Sequence, residues 1–259
     1  FMNYGWADLN TTAKTLFLQP EDEPNRYCIQ LYHRVAGAID LTGLDVLEVG
    51  CGRGGGAWYI KRYLNPRSIT ALDRTANAIA FCRAHYMRTH DALPGLHFVR
   101  GDAGALRLKA ASFDAIINVE SSHCYVSMER FLQGVNRVLR PGGYLLYADH
   151  RLVPLVDTLR RQFREAGLSV IEEDCINAYV LKALELDNAR KQALIKEKVP
   201  RVLQPFFNEF AAMKSSRSIY GSLLSGERVY LRFVLRSDRP LGPSGSRVQR
   251  LGGSGTGLL

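Results

Sequence analysis

The residues of this chain whose types and spacing could do chemistry sit at the ends of short apolar runs. Glu48-x-Gly50-x-Gly52-x-Gly54 directly follows Asp45-Val-Leu-Glu-Val49. Glycines at this spacing let a backbone turn sharply and approach a ligand without Cβ clashes, and a helix after the turn offers free N–H groups. Gly50, Gly52 and Gly55 also satisfy Gly-x-Gly-x-x-Gly, and Asp73 lies about where the ribose-binding acid of that dinucleotide fingerprint belongs. Asp73 could equally cap the next helix. No Gly-Lys-Ser/Thr follows, which excludes a P-loop. Cys51 has no adjacent base and reads as a small turn residue rather than a nucleophile.

Three features separate the remaining readings. A carboxylate at Glu48 would repel a dinucleotide's phosphates and attract an ammonium. Gly101-Asp102-Ala103 closes the run Leu96–Arg100, where an acid can accept from an adenine amino group. Leu139-Arg-Pro-Gly-Gly-Tyr-Leu-Leu146 introduces a further run. For proton transfer, His123 follows Phe113–Val119 and has an ordinary pKa suited to a base at neutral pH. Its alternative role is to bond loop backbone or stack on Tyr125. His150 comes second, and Glu120 is placed to orient a histidine or bind substrate. His33, His85, His90 and His97 fall on outer helices or mid-strand and read as structural or surface residues. A metal trio of His123, Asp149 and His150 is conceivable but not adopted, because a hard cation usually wants more carboxylate oxygens.

The elements that must hold these residues alternate. A helix over Pro24–Ile39 leads into a strand at Asp45–Val49, and a helix runs from the glycine cluster to Leu64. Strand Ser68–Leu72, helix Ala76–Arg88, and strands Leu96–Arg100 and Phe113–Val119 follow. Then come helix Met128–Leu139, strand Tyr144–Ala148, helix Leu152–Ala166 and strand Leu168–Asp174. The stretch Tyr179–Lys214 predicts two or three helices as a cap, before strand Arg228–Leu235. Such alternation implies βαβ units and a mostly parallel, doubly wound Rossmann-like α/β sheet covered on both faces. The expected divisions are a lid and lead-in helix over 1–40, a cofactor-binding core over 41–176 and a cap over 177–220. A last core strand over 221–237 and a flexible Gly-, Ser- and Pro-rich tail over 238–259 complete them.

Composition bounds the answer. The 259 residues are 46% hydrophobic and 23% charged, normal for one globular domain with an added cap. No apolar run reaches the roughly 20 residues of a membrane span. No charged-then-apolar leader opens the chain, although it starts on Phe1 and its true start is open. The net charge of +9 invites a nucleic-acid reading. Scattered basic residues, several in the tail at Arg236, Arg239, Arg247 and Arg250, lack the dense stripe with interleaved aromatics that such binding needs. Cys28, Cys51, Cys82, Cys124 and Cys175 form no Cys-x-x-Cys pair, which points to a reducing cytoplasm and no structural zinc.

On these motifs the sequence resembles the class I S-adenosylmethionine-dependent methyltransferases. The matching residues are Val46-Leu-Glu-Val-Gly-Cys-Gly-Arg-Gly54, Asp73, Gly101-Asp-Ala103, Ser112-Phe-Asp-Ala115 and Val138-Leu-Arg-Pro-Gly-Gly143. More narrowly, Phe1-Met-Asn-Tyr-Gly5, Val119-Glu-Ser-Ser-His-Cys-Tyr125 and Val229–Leu235 are similar to bacterial enzymes acting on polyketide- or lipid-derived hydroxyls, such as the phthiotriol O-methyltransferases. The resemblance implies S-adenosylmethionine as cofactor and S-adenosylhomocysteine as product. Gly50, Cys51 and Gly52, with Glu48 and Gly54, would form the methionine seat. Asp73 would accept the ribose hydroxyls with Arg74 flanking, and Gly101, Asp102 and Ala103 would hold the adenine. Asn118 would sit beside the methionine moiety, and Tyr4 and Trp6 would either form a lid or pack at the terminus.

The implied reaction is methylation of a hydroxyl on an apolar small molecule, with His123 as general base, by a monomer or homodimer. Phe206, Phe207, Phe210 and Tyr220 are pocket walls or ordinary core. An N- or C-methyltransferase would share every cofactor motif. A pericyclase on the same fold would bind the cofactor without transfer. Glu48 and Arg140-Pro-Gly-Gly143 disfavour a nicotinamide oxidoreductase. Asn118-Val-Glu-Ser121 lacks the prolines and aromatic expected for gripping a flipped base.

Overall fold

The apolar runs pair into one seven-stranded sheet in a computed structural model that describes residues 1–10, 16–87, 93–204, 207 and 219–240. The strands are β1 (Asp45–Val49), β2 (Ser68–Asp73), β3 (Leu96–Arg100), β4 (Phe113–Val119), β5 (Leu139–Leu152), β6 (Leu168–Cys175) and β7 (Arg228–Ser237). Their order is β3-β2-β1-β4-β5-β7-β6. Neighbours from β3 to β5 are parallel, and β7 lies antiparallel between β5 and β6. Chain order reverses between β1 and β4, and ligands of open α/β sheets bind in the crevice beyond the carboxyl ends of such a pair.

Side chains alternate between two cores. On β1, Val46 joins one apolar cluster and Leu47 and Val49 the other. On β4, Ala115, Ile117 and Val119 face the first and Ile116 the second, so every residue of that strand is buried. Helices α1 (Arg26–Ala36), α2 (Gly55–Tyr63) and α3 (Ala76–Tyr86) cover the first face. Helices α4 (Met128–Val138) and α5 (Val156–Glu165) cover the second. Each places its apolar residues on one stripe: α4 buries Phe131, Leu132, Val135 and Val138, a three-and-four spacing.

Four elements differ from the sequence expectation, one being the helix expected from Leu152, which starts as α5 at Val156 because β5 runs through Leu152 and a 3₁₀ turn follows. Pro24 opens a 3₁₀ turn, Glu23–Asn25, so α1 starts at Arg26. The Arg140-Pro-Gly-Gly143 turn lies inside β5, where Leu139 already pairs with Phe113 and the register shifts before Ala115 meets Tyr144. Proline within a sheet belongs at such an irregularity. The expected two or three cap helices begin as one, α6 (Asn177–Lys198), because no glycine or proline interrupts those 22 residues. It stops before Pro200, and a 3₁₀ turn, Arg201–Leu203, follows. A short helix, α7 (Ile219–Leu224), leads into β7. Phe206, Phe210, His90 and the tail beyond residue 240 lie outside the described residues. Tyr220 is buried core, its hydroxyl donating to Glu185 Oε1 at 2.9 Å, while Phe207 is exposed. No helix of the described residues is long and apolar enough to cross a membrane.

Candidate active site

The glycine turn is held in shape by its own backbone. Gly50, Gly52 and Gly54 have φ of 79°, 52° and 77°, the left-handed region open mainly to glycine. The N–H groups of Gly50 and Cys51 both donate to Leu72 O, at 2.8 and 3.0 Å, which clips the turn onto the end of β2. Gly52 N–H donates to Asp73 Oδ2 at 3.0 Å. A Cβ at Gly50 would stand 2.2 Å from Ser121 Oγ, so close approach as well as φ demands glycine there.

Above this turn opens a cavity of about 930 Å³. Gly50, Cys51, Gly52, Asp73, Arg74, Gly101, Asp102 and Ala103 wall one side, all of them expected on the cofactor. Asp73 lines the cavity, and its Oδ1 accepts from Thr75 N, just before α3, at 2.8 Å; no side-chain bond caps that helix among the described residues. A carboxylate accepts up to four hydrogen bonds, so capacity for a ligand remains. Asp102 Oδ1 accepts from Gly104 N at 2.8 Å and likewise faces the cavity.

Four expected residues stand behind the wall rather than in it. Glu48 shares the Val46 face of β1 and lies buried under α2, its Oε1 accepting from Tyr32 OH at 2.6 Å. Its Oε2 has no hydrogen-bond partner among the described residues, and burial pushes its pKa to about 7. Gly54 caps α2, where a Cβ would meet Phe98 at 2.7 Å. Asn118 Nδ2 donates to Val49 O at 2.9 Å and reaches Ser121 Oγ and Tyr125 OH, bracing the turn from beneath. Trp6 stacks on Tyr179, ring centroids 5.1 Å apart, and so pins the N-terminal segment to α6. Tyr4 does line the cavity.

At the ends of β4 and β5 the site is made of side chains. Asp149 is fully buried and crowded with donors. Its Oδ2 accepts from Ser122 Oγ at 2.6 Å and His123 N at 2.9 Å, and its Oδ1 from His150 N at 2.8 Å. Oδ1 also lies 2.8 Å from His123 Nδ1. Burial opposes the charge, but the His123 bond and the nearby Arg151 hold this carboxyl well below the usual range. An ionised acceptor assigns the proton to His123 Nδ1 and leaves Nε2 with its lone pair. Burial pulls the His123 pKa down, yet the bond and charge of Asp149 outweigh it and the net shift is upward.

His150 behaves oppositely. It stacks on His123 at 4.4 Å and on Tyr4 at 5.8 Å, and its Nδ1 accepts from Arg228 Nη1 at 3.1 Å. Burial above all pushes its pKa down to about 4, so it stays neutral, and it does not line the cavity. Glu120 does line it, on a strained backbone with φ 46°. Its Oε1 accepts from Tyr4 N at 2.8 Å and Tyr230 OH at 2.7 Å, and burial pushes its pKa to about 7.

Ligand atoms of His123, Asp149 and His150 lie within 4.8 Å of one another, a spacing that would suit a metal ion. Because the Asp149 oxygens are taken by N–H and O–H donors, the arrangement favours orienting a histidine over ligating a cation. Sequence reasoning set Asp149 beside His123 only in a metal trio it did not adopt, and missed Ser122, Tyr230 and Arg228. The available signal was an acid at the carboxyl end of the apolar strand Tyr144–Ala148, the position from which a side chain reaches the crevice.

Comparison with known proteins agrees with this geometry. Residues 47–147 match the family described as methyltransferase domain. The chain is 40% identical over 237 residues to the phthiotriol/phenolphthiotriol dimycocerosates methyltransferase of Mycobacterium leprae, covering 92% of this chain and 86% of that one. It is 40% identical over 210 residues to a fatty-acid O-methyltransferase of Mycolicibacterium smegmatis, covering 81% and 74%. Among solved structures, a putative sarcosine dimethylglycine methyltransferase from Galdieria sulphuraria superposes with a TM-score of 0.72 at 14% identity, covering 93% and 95%. The [4+2]-cyclase SpnF does so at 0.69 and 19% identity, covering 93% and 88%; both show the shared fold. A glycine turn at the switch point, two acids on the neighbouring strand ends and close relatives of one kind lead to one assignment: the chain belongs to the S-adenosylmethionine-dependent methyltransferases, in the family that includes the phthiotriol/phenolphthiotriol dimycocerosates methyltransferases.

Proposed function

We propose that this enzyme methylates a hydroxyl on a long, apolar lipid- or polyketide-like acceptor, with His123 as general base and Asp149 as its positioning residue. The observation that carries this is the His123–Asp149 pair, which presents a histidine of raised basicity at the wall of the cavity. The names of the relatives suggest the acceptor class, phthiotriol/phenolphthiotriol dimycocerosates in one and a fatty acid in the other.

The cofactor fits the wall built for it. The Gly50 cradle leaves no room for a Cβ, and acids of both expected strand ends face the same space. Gly50, Cys51 and Gly52 would hold the methionine part, Asp73 and Arg74 the ribose, and Gly101, Asp102 and Ala103 the adenine. Glu48 and Asn118 act from behind, through Tyr32 and the Val49 carbonyl. When bound, S-adenosylmethionine supplies a methyl group activated by its positive sulfonium. The protein's part is alignment and proton transfer. His123 Nε2 takes the acceptor's hydroxyl proton, and the ionised Asp149 stabilises the imidazolium that results. The N-terminal segment at Phe1–Tyr4 and α6 at Arg190–Ile195 line the sides of the cavity.

The test uses S-adenosylmethionine with a labelled methyl group and lipid alcohols. Label should enter an ether in the wild type, and His123→Ala should lower kcat by about 10²-fold or more while cofactor affinity stays within a few-fold. Label on nitrogen or carbon would move the assignment to an N- or C-methyltransferase. Cofactor left intact while an acceptor cyclises would move it to a pericyclase.

A further inference from the structure

One hydrogen bond pins one atom of a histidine ring and leaves its plane free. Asp149 holds His123 Nδ1, but Nε2 lies across the ring, and the torsion that swings it has a broad preference. A reacting nitrogen has to be held within about 0.5 Å of its productive position, so the plane needs a contact of its own. The side chain of His123 is 30% exposed, and Tyr125, the ring nearest in sequence, turns to Phe131 instead.

His150 supplies that contact. Its ring stacks on His123 with centroids 4.4 Å apart and planes 29° from parallel. Its backbone N–H donates to Asp149 Oδ1, the oxygen that also holds His123. Three neighbours fix the His150 ring in turn: Tyr4 stacks on it at 5.8 Å, Tyr230 meets it edge-on at 6.4 Å, and Arg228 Nη1 donates to its Nδ1 at 3.1 Å. These contacts leave His150 nothing with which to take a proton from an acceptor. Arg228 occupies the Nδ1 lone pair, which places the ring proton on Nε2. Nε2 is buried without a hydrogen-bond partner among the described residues, and His150 is 4% exposed and does not line the cavity.

Tyr4 carries the stack to the other half of the site. Its backbone N–H is tied to Glu120 Oε1, and just before it Met2 and Phe1 lie against the glycine turn. A Cβ at Gly52 would stand 3.3 Å from Met2 Sδ, and one at Gly55 would stand 3.0 Å from the Phe1 ring.

We propose that His150 is a positioning residue, an aromatic plate that fixes the plane of His123, and that Tyr4 joins this plate to the segment lying on the cofactor turn. The inference rests on the reading of His123 as the base.

The test compares loss of the ring with its replacement. His150→Asn keeps an acceptor for Arg228 but no plate. It should lower kcat about tenfold or more, the scale of a displaced reacting group, with S-adenosylhomocysteine affinity within a few-fold. His150→Phe restores a plate without a titratable nitrogen and should recover most of that loss, whereas a second base would be lost equally in both. Tyr4→Ala should lower kcat less steeply, and Tyr4→Phe should recover it, because the ring and not the hydroxyl makes the contact.

NMR titration of the imidazoles reads the same thing without turnover. Around the two rings stand Tyr4, Glu120, Asp149 and Arg151 on β5, and Arg228 and Tyr230 on β7, and all remain in the His150 variants. Burial lowers the His123 pKa against the pull of Asp149. Water admitted by His150→Asn should therefore move the His123 titration, and the acid limb of kcat, to higher pH, and His150→Phe should leave both in place. Equal kcat in the Asn and Phe variants, or a titration that does not separate them, would overturn the proposal. If the His150 variants do not fold, the Tyr4 pair decides, and equal kcat in Tyr4→Ala and Tyr4→Phe would overturn it. A fully active His123→Ala would sink the base instead, and the titration would still report on the plate.

Discussion

The two halves of the cavity are built from different materials. At the ends of β1, β2 and β3 the wall is backbone: a glycine turn clipped to Leu72 O, with Asp73 and Asp102 tied to neighbouring N–H groups. At the ends of β4, β5 and β7 it is side chain on side chain, with Asp149 linking Ser122, His123 and His150, and Tyr230 reaching Glu120 across the sheet. A backbone cradle suits a ligand that is always the same. A side-chain network can be retuned to a new acceptor one residue at a time. The first half should therefore fail through shape and the second through charge and protonation.

Asp149→Asn tests the second half where it is most committed. An amide cannot accept from Ser122, His123 and His150 as a carboxylate does, and His123 would lose the partner that sets its tautomer. We expect kcat to fall by about 10³-fold, on the scale of a misoriented catalytic histidine, with S-adenosylmethionine affinity within a few-fold of wild type. The pH profile separates positioning from a merely structural role. As the proposed base His123 would have to be unprotonated, and Asp149 raises its pKa, so wild-type turnover should fall as pH drops through a value above the ordinary 6.5 or so. In Asp149→Asn burial is left in control, and the limb should move to lower pH. An unmoved limb would mean that Asp149 does not act through His123.

The first half breaks by steric means. Gly50→Ala places a methyl 2.2 Å from Ser121 Oγ on a backbone with φ 79°. Strain of about 1–3 kcal/mol in the turn should weaken S-adenosylmethionine binding by about 10–10²-fold in a calorimetric titration. Gly43→Ala is the matched control. Its φ is 73°, yet nothing lies within 4 Å of the new Cβ and the site is remote from the cavity. It should lower stability by about 1 kcal/mol and leave cofactor affinity unchanged. Equal losses of affinity would show that the cradle is not specific to the Gly50 position.

The same contrast explains what could be read from the chain. Gly50, Gly52, Asp73 and Asp102 are legible because each is local: a turn or strand end states its own requirement within a few residues. Glu48 was legible as an acid of the motif but not in its placement, because strand alternation sends it toward Tyr32, 16 positions earlier. Trp6 could not be assigned at all without knowing that Tyr179 lies opposite. The His123–Asp149 pair spans 26 positions and Glu120–Tyr230 spans 110, distances over which spacing carries no signal. The single long α6 was readable in principle, since its interior has no breaker; the polar, weakly patterned sequence concealed it.

Tyr230→Phe is the mildest probe of the side-chain half, and pH gives it resolution. The Tyr230 hydroxyl donates to Glu120 Oε1 at 2.7 Å, a bond that is strongest when the carboxylate is charged. Burial raises the Glu120 pKa to about 7 from an unfolded value near 4.5. For a carboxyl raised in this way, the native state binds the extra proton between those values, so its contribution to stability is full below about 4.5 and lost as pH rises through about 7. The Tyr230 bond limits that loss by favouring the charged form. Removing it should cost about 1 kcal/mol, with the larger part above pH 7, and should push the Glu120 pKa higher still. Thermal unfolding of wild type and variant at about pH 5 and about pH 8 measures this. The Tm gap should widen at the higher pH, and turnover should change only a few-fold. A gap independent of pH would mean that the Tyr230 hydroxyl does not respond to the charge of Glu120, and that the charged carboxylate is held by the Tyr4 backbone rather than across the sheet.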